Sequence, residues 1–285
     1  MTTALHDETA GRLTVVVMTR DRWPDLRHTL ARHRAPAVVV DNGSSDGTPR
    51  LVREHFPHVD VVPLDRNHGS PARNVGVERA RTPYVAFADD DSWWAPGSLA
   101  RVADLFDGHP RLGLVAARML VGEEQQEDQV CREMAAAPLG TDADLPGPSV
   151  LGFLACGAAV RREAFLAAGG FDEVIFFMGE EERLSLDLMT LGWGMSYVAD
   201  VVAHHHPSPV RDTVARRARA ARNRLLTAVL RRPWPVVART VVHDLRSGAA
   251  GWVAAGEAAV ALPGALRHRR CVPPHVEAAR RRLEG

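Results

Sequence analysis

Short apolar runs alternate with segments of helical periodicity over the first 121 residues. The apolar runs predict strands at 13–19, 37–40, 59–64, 84–88 and 112–121, and the amphipathic segments predict helices at 24–34, 48–55, 70–80 and 97–107. This alternation is typical of right-handed crossovers and of a mostly parallel sheet covered by helices on both faces. The sequence therefore predicts an α/β fold, whose ligands bind beyond the carboxyl ends of the strands.

The remainder of the chain has a different pattern. Residues 122–148 lack an apolar period and contain an acidic stretch, which predicts a flexible surface insertion that acts as a loop or lid. A further strand is predicted at 195–203, and helical periodicity dominates from 211 onward. We therefore expect an N-terminal tail (1–12), two halves of one α/β domain (13–121 and 149–210) separated by the insertion, and a C-terminal helical extension (211–285).

Composition narrows the class of protein. The chain is 46% hydrophobic and 25% charged, as expected for a globular protein, and its 35 acidic residues balance 35 basic ones, all of them arginine. This balance gives no reason to expect a nucleic-acid partner. The three cysteines lack CxxC spacing, which argues against a zinc site or a disulfide framework and favours a reducing cytoplasm. Residues 1–12 lack the apolar core of a secretory signal.

Three consecutive aspartates, Asp89, Asp90 and Asp91, follow the apolar run at 84–88. Crowding three anions at the end of a buried strand is costly unless a cation offsets their charge. The segment therefore indicates a metal site at the mouth of the sheet. The alternative is a solvated acidic turn, because aspartate is common in turns.

Two more polar clusters follow predicted strands. Asp41 ends the second strand, where its carboxylate could accept the N–H of a pyrimidine base, whereas Gly47 and Thr48 are explained by a turn and a helix cap. After the third strand, residues 67–76 open a helix whose backbone amides, together with Arg73, could face an anion. A solvated helix cap is the alternative for this cluster.

The ordered motifs resemble those of the family 2 glycosyltransferases of the GT-A fold. The resemblance rests on VVMTRDR at 16–22, VVVDNGSSDGT at 38–48, NHGSPARNVG at 67–76 and AFADDDSWWAPGSL at 86–99, and it extends to about residue 205. It implies an inverting, metal-dependent enzyme that moves a sugar from a nucleoside diphosphate to an acceptor hydroxyl. Residues 13–121 would then bind the nucleotide sugar, and residues 149–210 would form the acceptor side.

The resemblance also implies roles for individual residues. The implied donor-binding residues are Thr19, Arg20, Asp21, Asp41, Arg73, Asp89 and Asp90. In the family pattern the residue at Asp41 holds the base, while Asp89 and Asp91 serve the ribose and a divalent metal; Asp90 is open to either role. Mn²⁺ or Mg²⁺ typically takes one or two protein carboxylates together with phosphate oxygens, and it stabilises the charge that grows on the leaving oxygen.

A second acidic cluster occurs in GEEERLSLDL at 179–188. The resemblance places Glu181 at the position of the catalytic base, where Asp is the commoner residue in the family, and Glu180 is the alternative. A carboxylate within hydrogen-bond reach of the acceptor hydroxyl is a sufficient general base. Acidic residues in a first helical turn also stabilise the helix dipole, which is the competing explanation for the cluster.

Three histidines, 204–206, follow the predicted strand at 195–203. Family relatives place a histidine after this strand near the diphosphate, and neutral imidazole is a ligand for Mn²⁺-type metals. His206 or His204 is therefore predicted to complete the metal shell. A solvated loop is the alternative.

The C-terminal extension begins with an amphipathic helix. Its apolar stripe is Val214, Ala218, Ala221, Leu225 and Val229, with arginines around it. We expect the helix to pack on the sheet; the alternative is an interfacial helix on anionic lipid, which would make a cytoplasmic enzyme peripheral at the inner face of the membrane. Residues 248–266 are apolar, but Glu257 and Pro263 within them argue against a transmembrane span.

Two other functional classes share some of these features. A nucleotidyltransferase also uses paired carboxylates, but we would expect a glycine-rich phosphate loop after its first strand, and the segment at 19–22 contains no glycine. A non-catalytic sugar-nucleotide binder is the other alternative, since Glu181 departs from the commoner Asp. The expected partners are a nucleotide sugar and a hydroxyl acceptor of polysaccharide, lipid-linked or natural-product type.

Overall fold

The computed structural model describes residues 7–207 and 213–284. Its strands are β1 (Leu13–Thr19), β2 (Ala37–Asp41), β3 (Asp60–Pro63), β4 (Tyr84–Asp89), β5 (Ser92–Trp94), β6 (Leu112–Val121), β7 (Gln126–Glu127), β8 (Ala158–Arg161) and β9 (Gly194–His205). Its α-helices are α1 (Trp23–Leu30), α2 (Thr48–His55), α3 (Ala72–Arg79), α4 (Ser98–Gly108), α5 (Gln129–Ala135), α6 (Arg162–Ala167), α7 (Glu180–Thr190), α8 (Thr213–Arg231), α9 (Trp234–Arg246), α10 (Ala249–Arg267) and α11 (Pro274–Arg282). The predicted α/β class is confirmed.

The strands of the described residues form one nine-stranded sheet with the order β3-β2-β1-β4-β8-β6-β9-β5, and β7 pairs with β6. The first half is parallel, as predicted: β1 lies between β2 and β4 and runs in the same direction as both. β8 is antiparallel to its neighbours β4 and β6, so the complete sheet is mixed rather than mostly parallel. The parallel half brings the carboxyl ends of β1, β2 and β4 to one edge.

The register of these strands aligns the polar residues at that edge. Thr19 pairs with Asp41 across β1 and β2, and Met18 pairs with Asp89 across β1 and β4. The strands behind them are apolar and fully buried, as expected for a sheet covered on both faces. A rigid core therefore fixes the spacing of the predicted donor-binding residues.

Several element boundaries differ from the sequence prediction. The first helix ends at Leu30 rather than at residue 34, and the last strand continues two residues further than predicted, to His205. Part of segment 122–148, expected to be a loop, forms β7 and α5. The Asp128 side chain caps α5 by accepting the Val130 N–H at 2.8 Å, and Cys131 on the inner face of this helix is buried. A side-chain cap and one buried face are enough to order a short helix that has no clear period.

The C-terminal helices form a second small core. In α8 the predicted stripe residues Ala218, Ala221, Leu225 and Val229 are buried, so this face packs inward as expected, but mainly against α10 and α9 rather than on the sheet. The side chain of Val214, residues 1–6 and the predicted boundary at 210–211 lie outside the described residues. Helix α10 is long and apolar enough to cross a membrane by length and composition alone.

Candidate active site

A cavity of about 440 Å³ opens at the strand edge where β1, β2 and β4 end. Its lining is Met18, Thr19, Arg20, Asn42, Asn67, Gly69, Asp89, Asp90, Asp91, Phe176, Phe177, His205, Arg216 and Arg219. The structure thus brings together residues from all three polar clusters that the sequence singled out, and it adds two arginines from α8. We call this space the carboxylate cavity.

Asp41 lies buried at the end of β2, with 1% of its surface exposed. One carboxylate oxygen, Oδ2, accepts the backbone N–H of Ser44 at 3.1 Å. The other, Oδ1, is buried and has no hydrogen-bond partner among the described residues. Buried acceptors are normally paired, so this oxygen is suited to an N–H from a ligand such as a nucleotide base.

Asn42 organises the loop after β3, a role that the sequence analysis missed. Its Oδ1 accepts the backbone N–H of His68 at 2.7 Å, and its Nδ2 donates to Asn67 Oδ1 at 3.0 Å and to the Gly69 carbonyl at 3.1 Å. The available signal was its position directly after the strand-end Asp41. Asn42 therefore connects two strand ends and holds the wall of the carboxylate cavity.

The first loop, after β1, contains three predicted donor-binding residues in different settings. Thr19 Oγ1 donates to Asp90 at 3.0 Å, and Arg20 is exposed at the cavity wall. Asp21 accepts the backbone N–H of Ser45 at 2.6 Å, and this hydrogen bond lowers the pKa of Asp21. Asp21 thus fastens the first loop to the loop after β2, which makes it a positioning residue in this geometry.

The three aspartates differ in their cationic partners. Arg73 donates to Asp89, whereas the Arg22 guanidinium lies 3.6 Å from Asp90 and 4.0 Å from Asp91. Arg22 was within the loop singled out from sequence but was not assigned a role. Burial, together with the flanking carboxylates, raises the pKa of Asp90 to about 8.

Arg73 is buried instead of facing a ligand. Only 1% of its side chain is exposed, its Nη2 donates to Asp89, and its Nη1 lies 3.7 Å from Glu180 Oε1. It is not among the residues that line the carboxylate cavity. The prediction that Arg73 binds the donor directly therefore does not fit this geometry, and Arg73 acts on the site through Asp89 and Glu180.

The histidines at the end of β9 alternate between two sides of the strand. His205 Nε2 lies 3.3 Å from Asp91 Oδ1. His204 stacks on Trp93 and contacts Gln125 at 2.5 Å, and the ring of His206 also lies against Trp93. The predicted ligands His204 and His206 are therefore directed away from the carboxylates, and His205 takes the place expected for them.

The residues at this edge fit a divalent cation that also binds substrate oxygens. Within residues 7–207 and 213–284, no three His, Cys, Asp or Glu side chains converge on one preformed metal position. Asp91 and His205 nevertheless offer an oxygen and a nitrogen donor side by side, a set that suits Mn²⁺. Because Mn²⁺ and Mg²⁺ sites commonly use few protein ligands plus phosphate oxygens, this pair is sufficient on the protein side.

The predicted base lies on a neighbouring cavity of about 690 Å³, formed between segment 130–153, the start of α7 and the end of the chain. Glu181 lines this cavity, together with mostly apolar residues that include Met134, Leu151 and Phe153. Burial raises the pKa of Glu181 to about 8, with a further rise from the adjacent Glu180 carboxylate. We call this space the apolar cavity.

Glu180 points the other way. It is 3% exposed, lies near Arg73 and has one carboxylate oxygen, Oε2, without a partner among the described residues. Burial raises its pKa, and Arg73 opposes that rise. Of the two candidate bases, Glu181 is the one that reaches a cavity large enough for a substrate.

The loop that precedes α7 is held in place by Asn223, a residue of α8. Phe176 and Met178 have positive φ angles of 66° and 74°, a conformation that non-glycine residues adopt at a cost. Asn223 of α8, fully buried, donates to the carbonyls of Phe177 at 2.7 Å and Met178 at 2.6 Å. Asn223 therefore stabilises the strained loop that joins the two cavities.

Arg216 and Arg219 bring positive charge to the carboxylate cavity from α8. In the sequence these arginines lie around an apolar stripe, and no local motif connects them with the site. The only signal was their helical spacing, and the distance along the chain from the aspartates concealed their proximity. They are suited to bind the diphosphate of a donor next to the carboxylate edge.

The chain is similar in sequence to known proteins over more than two thirds of its length. Residues 14–167 match the family model described as glycosyl transferase family 2. The N-acetylglucosaminyl-diphospho-decaprenol L-rhamnosyltransferase of Mycobacterium tuberculosis is 29% identical over 240 residues, which cover 70% of this chain and 78% of that protein. The pre-mycofactocin glycosyltransferase of the same organism is 31% identical over 222 residues, covering 72% of this chain and 45% of that protein.

Solved structures show the same fold. The mannosyltransferase PcManGT from Pyrobaculum calidifontis, in complex with GDP-Man and Mn²⁺, superposes with a TM-score of 0.58 at 24% identity, covering 94% of this chain and 73% of that one. S. aureus TarS 1–349 in complex with UDP-GlcNAc gives a TM-score of 0.60 at 17% identity, covering 94% and 83%. The sheet and its flanking helices are therefore those of the GT-A fold.

Proposed function

Because the chain belongs to glycosyl transferase family 2 and is therefore a glycosyltransferase, we propose that it moves a sugar from a nucleoside diphosphate to an acceptor hydroxyl, with inversion and with Mn²⁺ or Mg²⁺. One observation carries the proposal: a single loop joins the two cavities. Phe176 and Phe177 line the carboxylate cavity, and Gly179 and Glu181, which follow directly, line the apolar cavity. This connection supports a donor in the first cavity and an acceptor in the second.

On the donor side, Asp41 is not among the residues that line the carboxylate cavity, but its neighbours Thr19 and Asn42 are. Its Oδ1, which has no partner among the described residues, receives the N–H of the base. Asp91 and His205 hold the divalent cation together with diphosphate oxygens. When bound, the cation supplies Lewis-acid stabilisation of the leaving diphosphate. Arg216 and Arg219 add fixed positive charge to the same leaving group.

On the acceptor side, Glu181 accepts the proton of the attacking hydroxyl. The acceptor oxygen forms a bond to the anomeric carbon as the bond from that carbon to the diphosphate oxygen breaks, and the diphosphate leaves with the electron pair. A single displacement of this kind inverts the anomeric configuration. Glu181 must be unprotonated before the step, so its raised pKa affects the rate near neutral pH.

The apolar cavity also suggests a class of acceptor. Its walls include Val130, Met134, Leu151, Phe153 and Leu283, which favour an apolar group next to the reacting hydroxyl. One relative is named for N-acetylglucosaminyl-diphospho-decaprenol, a molecule with a long apolar chain. We therefore propose an acceptor that carries an apolar part, such as a lipid-linked sugar or a hydrophobic aglycone.

The direct test is nucleotide release from a panel of UDP-, dTDP- and GDP-sugars, with and without Mn²⁺ or Mg²⁺. We expect release from one base class only, and only in the presence of the metal. Release that is equally fast in the presence of a chelator would overturn the metal assignment. Binding of the nucleotide sugar without release, either alone or with hydroxyl acceptors that bear an apolar group, would contradict the proposed reaction.

A further inference from the structure

The outward face of α10 is apolar along almost its whole length. Residues that recur every three or four positions form one stripe on this face: Trp252, Gly256, Ala259, Pro263 and Leu266. Val253 and Val260 lie beside the stripe. Trp252 is 65% exposed and Val260 is 85% exposed, so large apolar groups face solvent on a helix where polar residues are expected.

The opposite face of α10 is already occupied. Gly251, Ala254, Ala258 and Ala265 are buried, and α10 packs mainly against α8 and also against α9. Only 22% of the apolar window of α10 is buried in the protein. With its inner face packed on α8, the helix can offer only its outer face to a partner, which fits a helix lying along a surface rather than one spanning a bilayer.

Helix α9 extends the same kind of surface. Trp234, at its first residue, is 56% exposed, and Val242 is 45% exposed. The guanidinium of Arg269 lies 4.0 Å from the centre of the Trp234 ring. Arg269 also donates to the carbonyls of Val229 and Arg232, so it fixes the position of the ring. Exposed tryptophan is characteristic of membrane–water interfaces, where the ring lies at the level of the lipid headgroups.

The charge of this part of the chain identifies the partner. Residues 213–285 contain fifteen arginines and four acidic residues, whereas the complete chain has equal numbers of each sign. Exposed arginines on α9, α10 and the segment after it are Arg239, Arg246, Arg267 and Arg270. A second copy of the chain would bring two positive extensions together, whereas an anionic surface complements them.

We propose that the outer face of α10, with Trp234 and Val242 of α9, docks on an anionic lipid surface. The aliphatic and indole groups enter the boundary between headgroups and acyl chains, and the surrounding arginines bind lipid phosphates. This corrects the alternative raised from sequence: the stripe of α8 is packed inside the protein, and α10 provides the lipid-facing residues. Docking of this kind is independent of the identity of the sugar donor.

The test is cosedimentation of the full chain with vesicles of phosphatidylcholine, alone or mixed with phosphatidylglycerol. We expect binding to the anionic vesicles that weakens in high salt, and a loss of about tenfold or more in the double variant Trp252→Asp/Val260→Asp, since two charges on the apolar face oppose insertion. Leu191→Asp is the matched control, because Leu191 is 51% exposed on the sheet domain. The control should bind like the wild type.

Circular dichroism confirms that the variants are folded, and nucleotide release measured without vesicles separates docking from catalysis. Equal vesicle binding by the double variant, or no binding of the wild type to anionic vesicles, overturns the proposal. A concentration-dependent dimer that is lost in the double variant also overturns it, because the face would then be covered by a second copy. If the protein binds anionic vesicles but releases no nucleotide, the proposed reaction fails and the docking proposal is supported.

Discussion

Arg73 donates a hydrogen bond to Asp89 from a position where only 1% of its side chain is exposed. A buried guanidinium is tolerated because Asp89 and Glu180 both compensate its charge. The first aspartate of the triplet is therefore held in place before any ligand arrives. The same cation lies 3.7 Å from Glu180, so one side chain holds both the carboxylate edge and the start of α7.

Replacing Arg73 tests this dependence. We expect Arg73→Met to lower the free energy of unfolding by about 3–5 kcal/mol, because it leaves buried carboxylates without a cation. Arg79→Met is the control: it removes an exposed arginine of the same helix, paired with Asp60, and should cost at most about 1 kcal/mol. Urea denaturation measures the free energy of unfolding of both variants. Equal decreases would show that Arg73 stabilises the fold no more than an exposed arginine does.

The α8 arginines are expected to contribute to donor binding. Arg216→Gln and Arg219→Gln should each raise the KM for the nucleotide sugar about tenfold, as expected for the loss of a charge-assisted hydrogen bond to a phosphate. The adjacent Arg217 is exposed and is not among the residues that line the carboxylate cavity, so Arg217→Gln is the matched control. Steady-state kinetics with the active donor measure these KM values. An unchanged KM in Arg216→Gln and Arg219→Gln would show that these residues do not bind the donor.

The rate should rise with pH as Glu181 loses its proton. Its pKa is raised to about 8, so the carboxyl is largely protonated at neutral pH and becomes an effective base as the pH approaches and passes 8. We expect kcat/KM to follow this ionisation, and Glu181→Gln to remove the pH dependence and lower the rate about 10²–10⁴-fold.

Glu163→Gln is the control for the charge change, because Glu163 lies in α6, away from both cavities. It should keep the pH profile of the wild type. A wild-type kcat/KM that does not change between neutral pH and about pH 9 would show that Glu181 is not the base. The same conclusion would follow if Glu180→Gln abolished the pH dependence and Glu181→Gln did not.

Stability should fall in mild acid because of His33. This side chain is 3% exposed, neither ring nitrogen has a partner among the described residues, and burial lowers its pKa to about 4. In the unfolded chain this histidine binds a proton near the ordinary pKa of 6.5. The free energy of unfolding therefore decreases as the pH falls from 6.5 towards 4, by up to about 3 kcal/mol.

Thermal unfolding as a function of pH tests this expectation. His33→Leu should flatten the stability profile between pH 6.5 and 4, whereas His28→Leu, which changes an exposed histidine of α1, should leave its slope unchanged. Parallel profiles for the wild type and His33→Leu would mean that other groups cause the acid sensitivity.

The sequence predicted well which polar residues share one edge of the sheet, because the strands follow from local patterns. Asp41 and Asp89 each end an apolar run, and parallel strands bring such ends together, so their proximity required only the fold class. The general-base candidates come instead from the resemblance to the family, at a motif that is contiguous in sequence. These features depend on residues that are close in sequence or on a common edge.

The remaining parts of the site depend on tertiary packing. His205, rather than His204 or His206, lies beside Asp91 because β9 continues to residue 205, and alternation along the strand decides which ring faces that carboxylate. Arg73 lies in the first turn of a helix, where sequence cannot distinguish a ligand-facing side chain from a buried one. Arg216 comes from a helix that follows the sheet, and only its packing places it at the cavity.

The measurement that tests the central claim most directly is metal-dependent nucleotide release by Asp91→Asn, compared with the wild type and with Asp200→Asn. Asp200 is exposed and pairs with Arg101, so its variant controls for the loss of one carboxylate. We predict metal-dependent release by the wild type and by Asp200→Asn, and a loss of about a hundredfold or more in folded Asp91→Asn, because the proposed metal site then loses its carboxylate ligand. Full metal-dependent release by Asp91→Asn would contradict the assignment of this edge as the catalytic metal site.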